Sequence, residues 1–200
     1  MTYTPLASTL TLRVWPRTAA WLRDLGLILA GTLFTALLAQ VRLPLPFTPV
    51  PLTGQTFAVL LTGAALGSRR GLISMTLYLL LGGVGLPFFA GGQSGWAYLT
   101  GPTLGYLIGF AAAAWAVGRL AECGLERRLR TAWLPFLAGT LIIYICGAGR
   151  LALSLGVQRA LLLGVLPFLA GDLLKIALAA LALPAAWNVV KLSERPADEN

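Results

Sequence analysis

From Ala160 to Val190 the chain is almost wholly apolar, and the interruption in that run is a charged pair, Asp172 and Lys175. Asp172 is the only acidic residue between Glu126 and Glu194, and Lys175 is the only lysine before Lys191. Residues three apart share a helix face, so carboxylate and ammonium lie side by side. Ionisable groups at membrane depth are costly, usually face the protein interior and mark function by default. The competing reading is a mutually neutralised pair that locks two helices together. Buried pairs are weak evidence for stability, which favours a functional role.

The remaining chain is similarly apolar. Hydrophobic residues make up 58% and charged residues 11%, where a soluble domain averages about 25% charged. The expected fold class is all-α, a polytopic membrane protein in the lipid bilayer. There is no histidine, and Cys123 and Cys146 are far apart without a CxxC spacing. No metal site, disulfide framework or cofactor is expected. A net charge of +8 would suggest nucleic acid in a soluble protein. Here the arginines gather at the ends of apolar segments, which reads as membrane topology with no nucleic-acid partner.

Six transmembrane helices are expected within 24–191, after a polar, irregular segment 1–23 and before a polar tail 192–200. They run from Leu25 to Val41, from Gln55 to near Gly67, and from near Leu72 to between Leu81 and Leu86. The others run from about Thr103 to Leu120, Trp133 to Leu155, and Leu166 to Val190. Six crossings put both termini on one side. With the termini cytoplasmic, Arg13, Arg17, Arg23, Arg69, Arg70, Arg119, Arg127, Arg128, Arg130, Lys191 and Arg195 fall inside. Arg42, Arg150 and Arg159 fall outside, a clear positive-inside bias.

Two connections then face out. Between Leu43 and Pro51, Pro44, Pro46, Pro49 and Pro51 prevent a regular helix and make a stiff, extended loop. Gly82 to Pro102 is uncharged and glycine-rich, with Phe88, Phe89, Trp96 and Tyr98 interleaved with Gln93, Ser94 and Thr100. It suits a lid or pocket wall better than an interfacial aromatic belt. Thr53 and Gln55 either solvate a helix start or touch a ligand. Ser68 to Gly71 reads as a charged turn, and Glu122 to Arg130 as a charged connection. Gly31, Thr35 and Ala39 form a small-residue stripe, as do Gly101, Gly105 and Gly109; such stripes admit close helix approach, within this protein or to a partner subunit.

Catalysis finds little support: no histidine, paired membrane carboxylates or serine–base arrangement stands out. No Gly-Lys dipeptide exists to build an ATP-binding Walker A loop. A channel would repeat polar residues along several helices. Polarity concentrated at one end instead favours a pocket for a small molecule. Lys175 can hold a carboxylate and Asp172 can accept N–H donors, so a ligand with an acid end and an amide-like or ureido end fits.

Four stretches carry a family resemblance: Leu43 to Thr56 (LPLPFTPVPLTGQT), Tyr78 to Gly92 (YLLLGGVGLPFFAGG), Gly101 to Phe110 (GPTLGYLIGF) and Gly171-Asp172-Leu173-Leu174-Lys175. In this order they resemble the BioY family, the biotin-specific substrate-binding (S) component of energy-coupling-factor (ECF) transporters. The resemblance implies biotin captured at the outer face of a prokaryotic plasma membrane. It also implies a transmembrane coupling protein and two cytoplasmic ATPase subunits as partners. Asp172 and Lys175 match the family's polar ligand contacts on the last helix. Gln55, Gln93, Tyr98 and Phe88 are expected ligand contacts from loop position. Gly31, Thr35 and Ala39 resemble the helix-one surface used against the coupling protein, with Thr35 where the family has alanine. Leu104 stands where the family commonly has glycine. The alternatives are an S component for another small vitamin or a solitary permease.

Overall fold

A computed structural model describes residues 3–192, with the side chains of 191 and 192 excepted. The tail beyond 192, with the expected cytoplasmic cation Arg195, and the side chain of Lys191 therefore lie outside what is described. The chain is mostly helical: α1 (Leu6–Val14), α2 (Ala20–Ala39), α3 (Gln55–Leu66), α4 (Ser68–Gly83), α5 (Gly95–Leu99), α6 (Leu104–Glu122), α7 (Trp133–Leu155), α8 (Val157–Gly164) and α9 (Leu169–Leu192). Single 3-10 turns, Leu125–Arg127 and Leu166–Phe168, precede α7 and α9.

By length and composition, α2, α6, α7 and the Val157–Val190 stretch can each cross a membrane. Helix α3, with 12 residues, is apolar but only about 18 Å long, against a hydrocarbon core of about 30 Å. Helical segments thus occupy all six expected positions, four of them long and apolar enough to span.

Several local expectations change. Residues 6–14 are helical rather than irregular, because Leu6 is buried beside Leu60 and Ala64 of α3. The expected turn Ser68 to Gly71 is instead the first turn of α4. A carboxylate from the end of α6 holds it there: the Ser68 amide and hydroxyl both donate to Glu122 Oε1 at 2.8 Å. An anion at a helix start satisfies donors that the helix itself cannot. Residues 157–164, expected as loop, form α8 after the chain turns at Gly156, whose φ is +80°. The proline-rich loop is pinned by a two-residue antiparallel ladder, β1 (Arg42–Leu43) with β2 (Leu52–Thr53).

The stripe Gly31/Thr35/Ala39 is used inside the fold. All three residues are buried. A β-carbon on Gly31 would meet Thr62 of α3 at 2.7 Å and Ser74 of α4 at 2.9 Å. The neighbouring Thr32 hydroxyl donates to Ser74 O at 2.9 Å, adding a bond between α2 and α4. In this structure that face of α2 is covered by α3 and α4 and is not open to a partner subunit.

Helix α6 sits at the centre, packed on α3, α4 and most closely α7. A β-carbon on Gly105 would collide with the Cys146 carbonyl oxygen, so the two backbones touch because there is no side chain between them. Backbone cannot yield as a side chain can. Gly105→Val should force α6 from α7 and destabilise the fold by about 1–3 kcal/mol or more. Thermal unfolding in detergent checks this; an unchanged midpoint would mean the contact relaxes freely.

A further polar cluster follows the end of α6. Glu126 is 1% exposed; its Oε1 accepts from the Trp187 indole at 3.1 Å, while its Oε2 has no partner. The Arg127 guanidinium lies between the rings of Tyr3, at 4.4 Å, and Trp187, at 3.8 Å. Burial holds the Glu126 carboxyl above the ordinary carboxylate range, against the lowering effect of its own backbone N–H, Arg127 and Trp187. A raised folded-state value means the folded chain binds the proton more tightly. Stability should therefore fall as pH rises from the unfolded value through the folded one. Glu126→Gln retains an acceptor for Trp187 and removes the charge. Its unfolding midpoint should lose that pH slope and match or exceed the parent at neutral pH, which a pH series of melts tests.

Candidate ligand-binding site

The first turns of α9 carry Asp172 and Lys175; the first turns of α3 carry Gln55 and Thr56, with Thr53 just before. Tyr144 enters from the middle of α7. These groups form one hydrogen-bonded hub. Lys175 Nζ donates to Asp172 Oδ1 at 2.8 Å, Thr56 Oγ1 at 2.7 Å and the Thr53 carbonyl at 2.9 Å. The Thr56 hydroxyl donates to Asp172 Oδ1 at 3.2 Å, and the Tyr144 hydroxyl donates to Asp172 Oδ2 at 2.6 Å. The side chains of Lys175 and Asp172 are 16% and 6% exposed, so the pair is largely out of solvent.

Counting valences shows what the hub can still do. An ammonium has three donors, and all three are committed within the protein. An ionised carboxylate offers about four acceptor positions, and Asp172 uses three. Oδ2 retains room for one more N–H. The hub therefore presents an acceptor, with the Lys175 ammonium as the counter-charge beside it.

Apolar walls surround it. Val50 and Leu52 come from the proline-rich strap, Leu107 and Phe110 from α6, Ile143 from α7 and Phe168 from the 3-10 turn. The free volume between them is about 50 Å³, so a ligand larger than a few waters must displace a wall. The strap is held by few bonds. Beyond the two-residue ladder, Thr48 fastens it by donating to the Leu163 carbonyl of the α8 segment at 2.6 Å, and Val50 plugs into the core.

Of the expected ligand contacts, Asp172, Lys175, Gln55 and Tyr98 line this cavity. Gln55 is buried, and its amide is engaged: Thr53 Oγ1 donates to its Oε1 at 2.9 Å, and its Nε2 donates to the Tyr78 hydroxyl at 2.6 Å. Tyr98, on α5, stacks on Phe89 with ring centroids 5.1 Å apart. The structure places Phe88 and Gln93 elsewhere. Phe88 lines a groove beside α2 with Leu33, Leu37 and Gln40, and its carbonyl accepts from Tyr78 at 3.0 Å. Gln93 is exposed, and its backbone carbonyl accepts from Phe89. Phe89, fully buried between Tyr78 and Tyr98, anchors that loop.

Sequence reasoning missed Thr56, Tyr144 and Tyr106. Tyr144 carries the one visible signal, a hydroxyl in the middle of an apolar helix. Thr56 follows from its place one residue after Gln55 only once α3 and α9 are known to cross there. Tyr106 braces the site from α6 by donating to the Gly164 carbonyl at 2.7 Å.

The model of the BioY family matches residues 8–192. The chain belongs to the BioY family. Among curated relatives, the biotin transporter BioY of Rhizobium etli is 35% identical over 146 residues, 68% of this chain and 76% of that protein. The biotin transporter BioY of Thermotoga maritima is 42% identical over 124 residues, 60% and 70% of the two chains. A solved structure, the S-component for biotin from an ECF-type ABC transporter, superposes with a TM-score of 0.75 at 24% identity, covering 88% of this chain and 93% of that one. That likeness establishes the BioY chain's fold as the S-component fold.

Proposed function

We propose that this BioY chain captures biotin in the Asp172 cavity and serves as the substrate-binding component of an ECF-type transporter, a transport protein rather than an enzyme. The observation that carries the reading is the free acceptor position on Asp172 Oδ2, set in apolar walls under a displaceable strap. An ureido group offers N–H donors that such a carboxylate takes up, and charge-assisted bonds in a dry pocket are roughly twice as strong as neutral ones. The apolar walls suit the fused rings and hydrocarbon tail.

The arginine distribution supports a six-crossing topology in the prokaryotic cell membrane, with both termini cytoplasmic and α3 and α4 as short crossings. The hub then faces out, and the Glu122 and Glu126 clusters face in. Uptake needs energy that this chain has no motif to harvest. A transmembrane coupling protein and two cytoplasmic ATPase subunits supply it, and no cofactor takes part. Calorimetric titration of the detergent-solubilised protein with biotin tests the reading. Tight one-to-one binding is expected; no binding by a folded sample, or displacement by thiamine or riboflavin at equal strength, would overturn it.

A further inference from the structure

A second chamber lies directly beyond the first. It is lined by Pro49 of the strap, Thr100 and Pro102 before α6, and Arg150, Leu151 and Ser154 of α7, with a free volume of about 380 Å³. The two chambers share the same three elements in the same order. Ile143 and Tyr144 line the inner one; Arg150 and Leu151, each seven residues on, line the outer. Seven residues are two helical turns, so the outer chamber sits about 10 Å further along the same face of α7. The strap contributes Val50 and Pro51 to the inner chamber and Pro49 to the outer; the turn before α6 contributes Thr103 and then Thr100 to Pro102.

Arg150 is the charged group of the outer chamber. It is half-buried, its Cβ packs toward Gly105, and its Nη1 donates to Ser154 Oγ at 3.2 Å. Among the described residues no carboxylate pairs with it. A guanidinium has five donors in a planar fork that matches a carboxylate. Lys175, by contrast, has no donor left. The other outer-end arginines, Arg42 and Arg159, line neither chamber.

We propose that the outer chamber holds the acid end of the ligand and that Arg150, not Lys175, is the residue that selects for its carboxylate. This rests on the biotin reading above. The ring system would sit against Asp172, and the tail would pass between strap and α6 to the guanidinium. Selectivity for the acid then arises about two turns away from the group that recognises the rings.

The test compares biotin with biotinamide, which keeps the rings and loses the negative charge, on the parent, Arg150→Gln and Arg42→Gln. The parent should prefer the acid, and Arg150→Gln should lose roughly tenfold or more in affinity for biotin while binding biotinamide as the parent does. Arg42→Gln should leave both unchanged. Equal loss of both ligands in Arg150→Gln would assign it a structural role and overturn the proposal. So would retained acid preference, or a loss of preference confined to Arg42→Gln. Failure of the parent to bind either compound would instead sink the biotin reading itself, and this proposal with it.

Discussion

Asp172→Ala should abolish high-affinity biotin binding while leaving a folded protein. The substitution removes the acceptor offered to the ligand and strands the Lys175 ammonium, whose remaining partners, Thr53 O and Thr56 Oγ1, are neutral. Losing a charge-assisted hydrogen bond to the ligand costs about 1.5–3 kcal/mol. At about 1.4 kcal/mol per tenfold, affinity should fall by about ten- to a hundredfold. Asp172→Asn separates charge from shape. Its amide oxygen can still accept from Tyr144 or a ligand N–H, so its affinity should lie between parent and alanine variant. Titration calorimetry on both, with melting curves as the control for folding, gives the answer. Parent-like binding by Asp172→Ala would move the site away from this hub.

Lys175→Met should produce a loss of similar size, by a different route. The methionine keeps the length and the apolar stem but leaves Asp172 without its counter-charge, supported by Thr56 and Tyr144 alone. The carboxylate proposed to meet the ligand is then held less well and oriented less well. Because Lys175 acts through Asp172, biotin and biotinamide should weaken together, by up to about a hundredfold each. A loss confined to biotin would show the ammonium turning from Thr53 or Thr56 to meet the ligand's acid directly. Combining the two substitutions in a double-mutant cycle should show strong coupling, since the second change removes a partner already lost.

Much of this site was legible in the chain itself. An isolated acid–base pair three residues apart in an apolar run has few explanations, and Asp172 and Lys175 stand where that logic puts them. The two loops flagged for proline and for glycine with aromatics do line the chambers, through Pro49, Val50 and Pro51 and through Tyr98, Thr100, Gly101 and Pro102. What the sequence could not convey was which side of each loop points inward. Phe88 and Phe89 are adjacent and chemically the same; the core takes Phe89 because Gly82 leaves room for its ring. Likewise, a stripe such as Gly31/Thr35/Ala39 signals close approach without naming the neighbour. Thr56 joined the site only through a tertiary crossing of α3 and α9. Ser68 joined a helix rather than a turn because Glu122, 54 residues away, supplies the cap.

The proline-rich strap has one further consequence. Its prolines fix φ and carry no N–H, so the strap has few backbone bonds to break and few conformations to lose. Displaced by a ligand, such a segment would swing as a stiff flap hinged at β1 and β2 rather than condense from a floppy coil. The usual entropic cost of ordering a loop over a ligand, of order 1–2 kcal/mol for each residue fixed, is thereby met largely during folding. A rigid flap would let the small cavity open for a ligand and close on it again without drawing on the affinity proposed for Asp172.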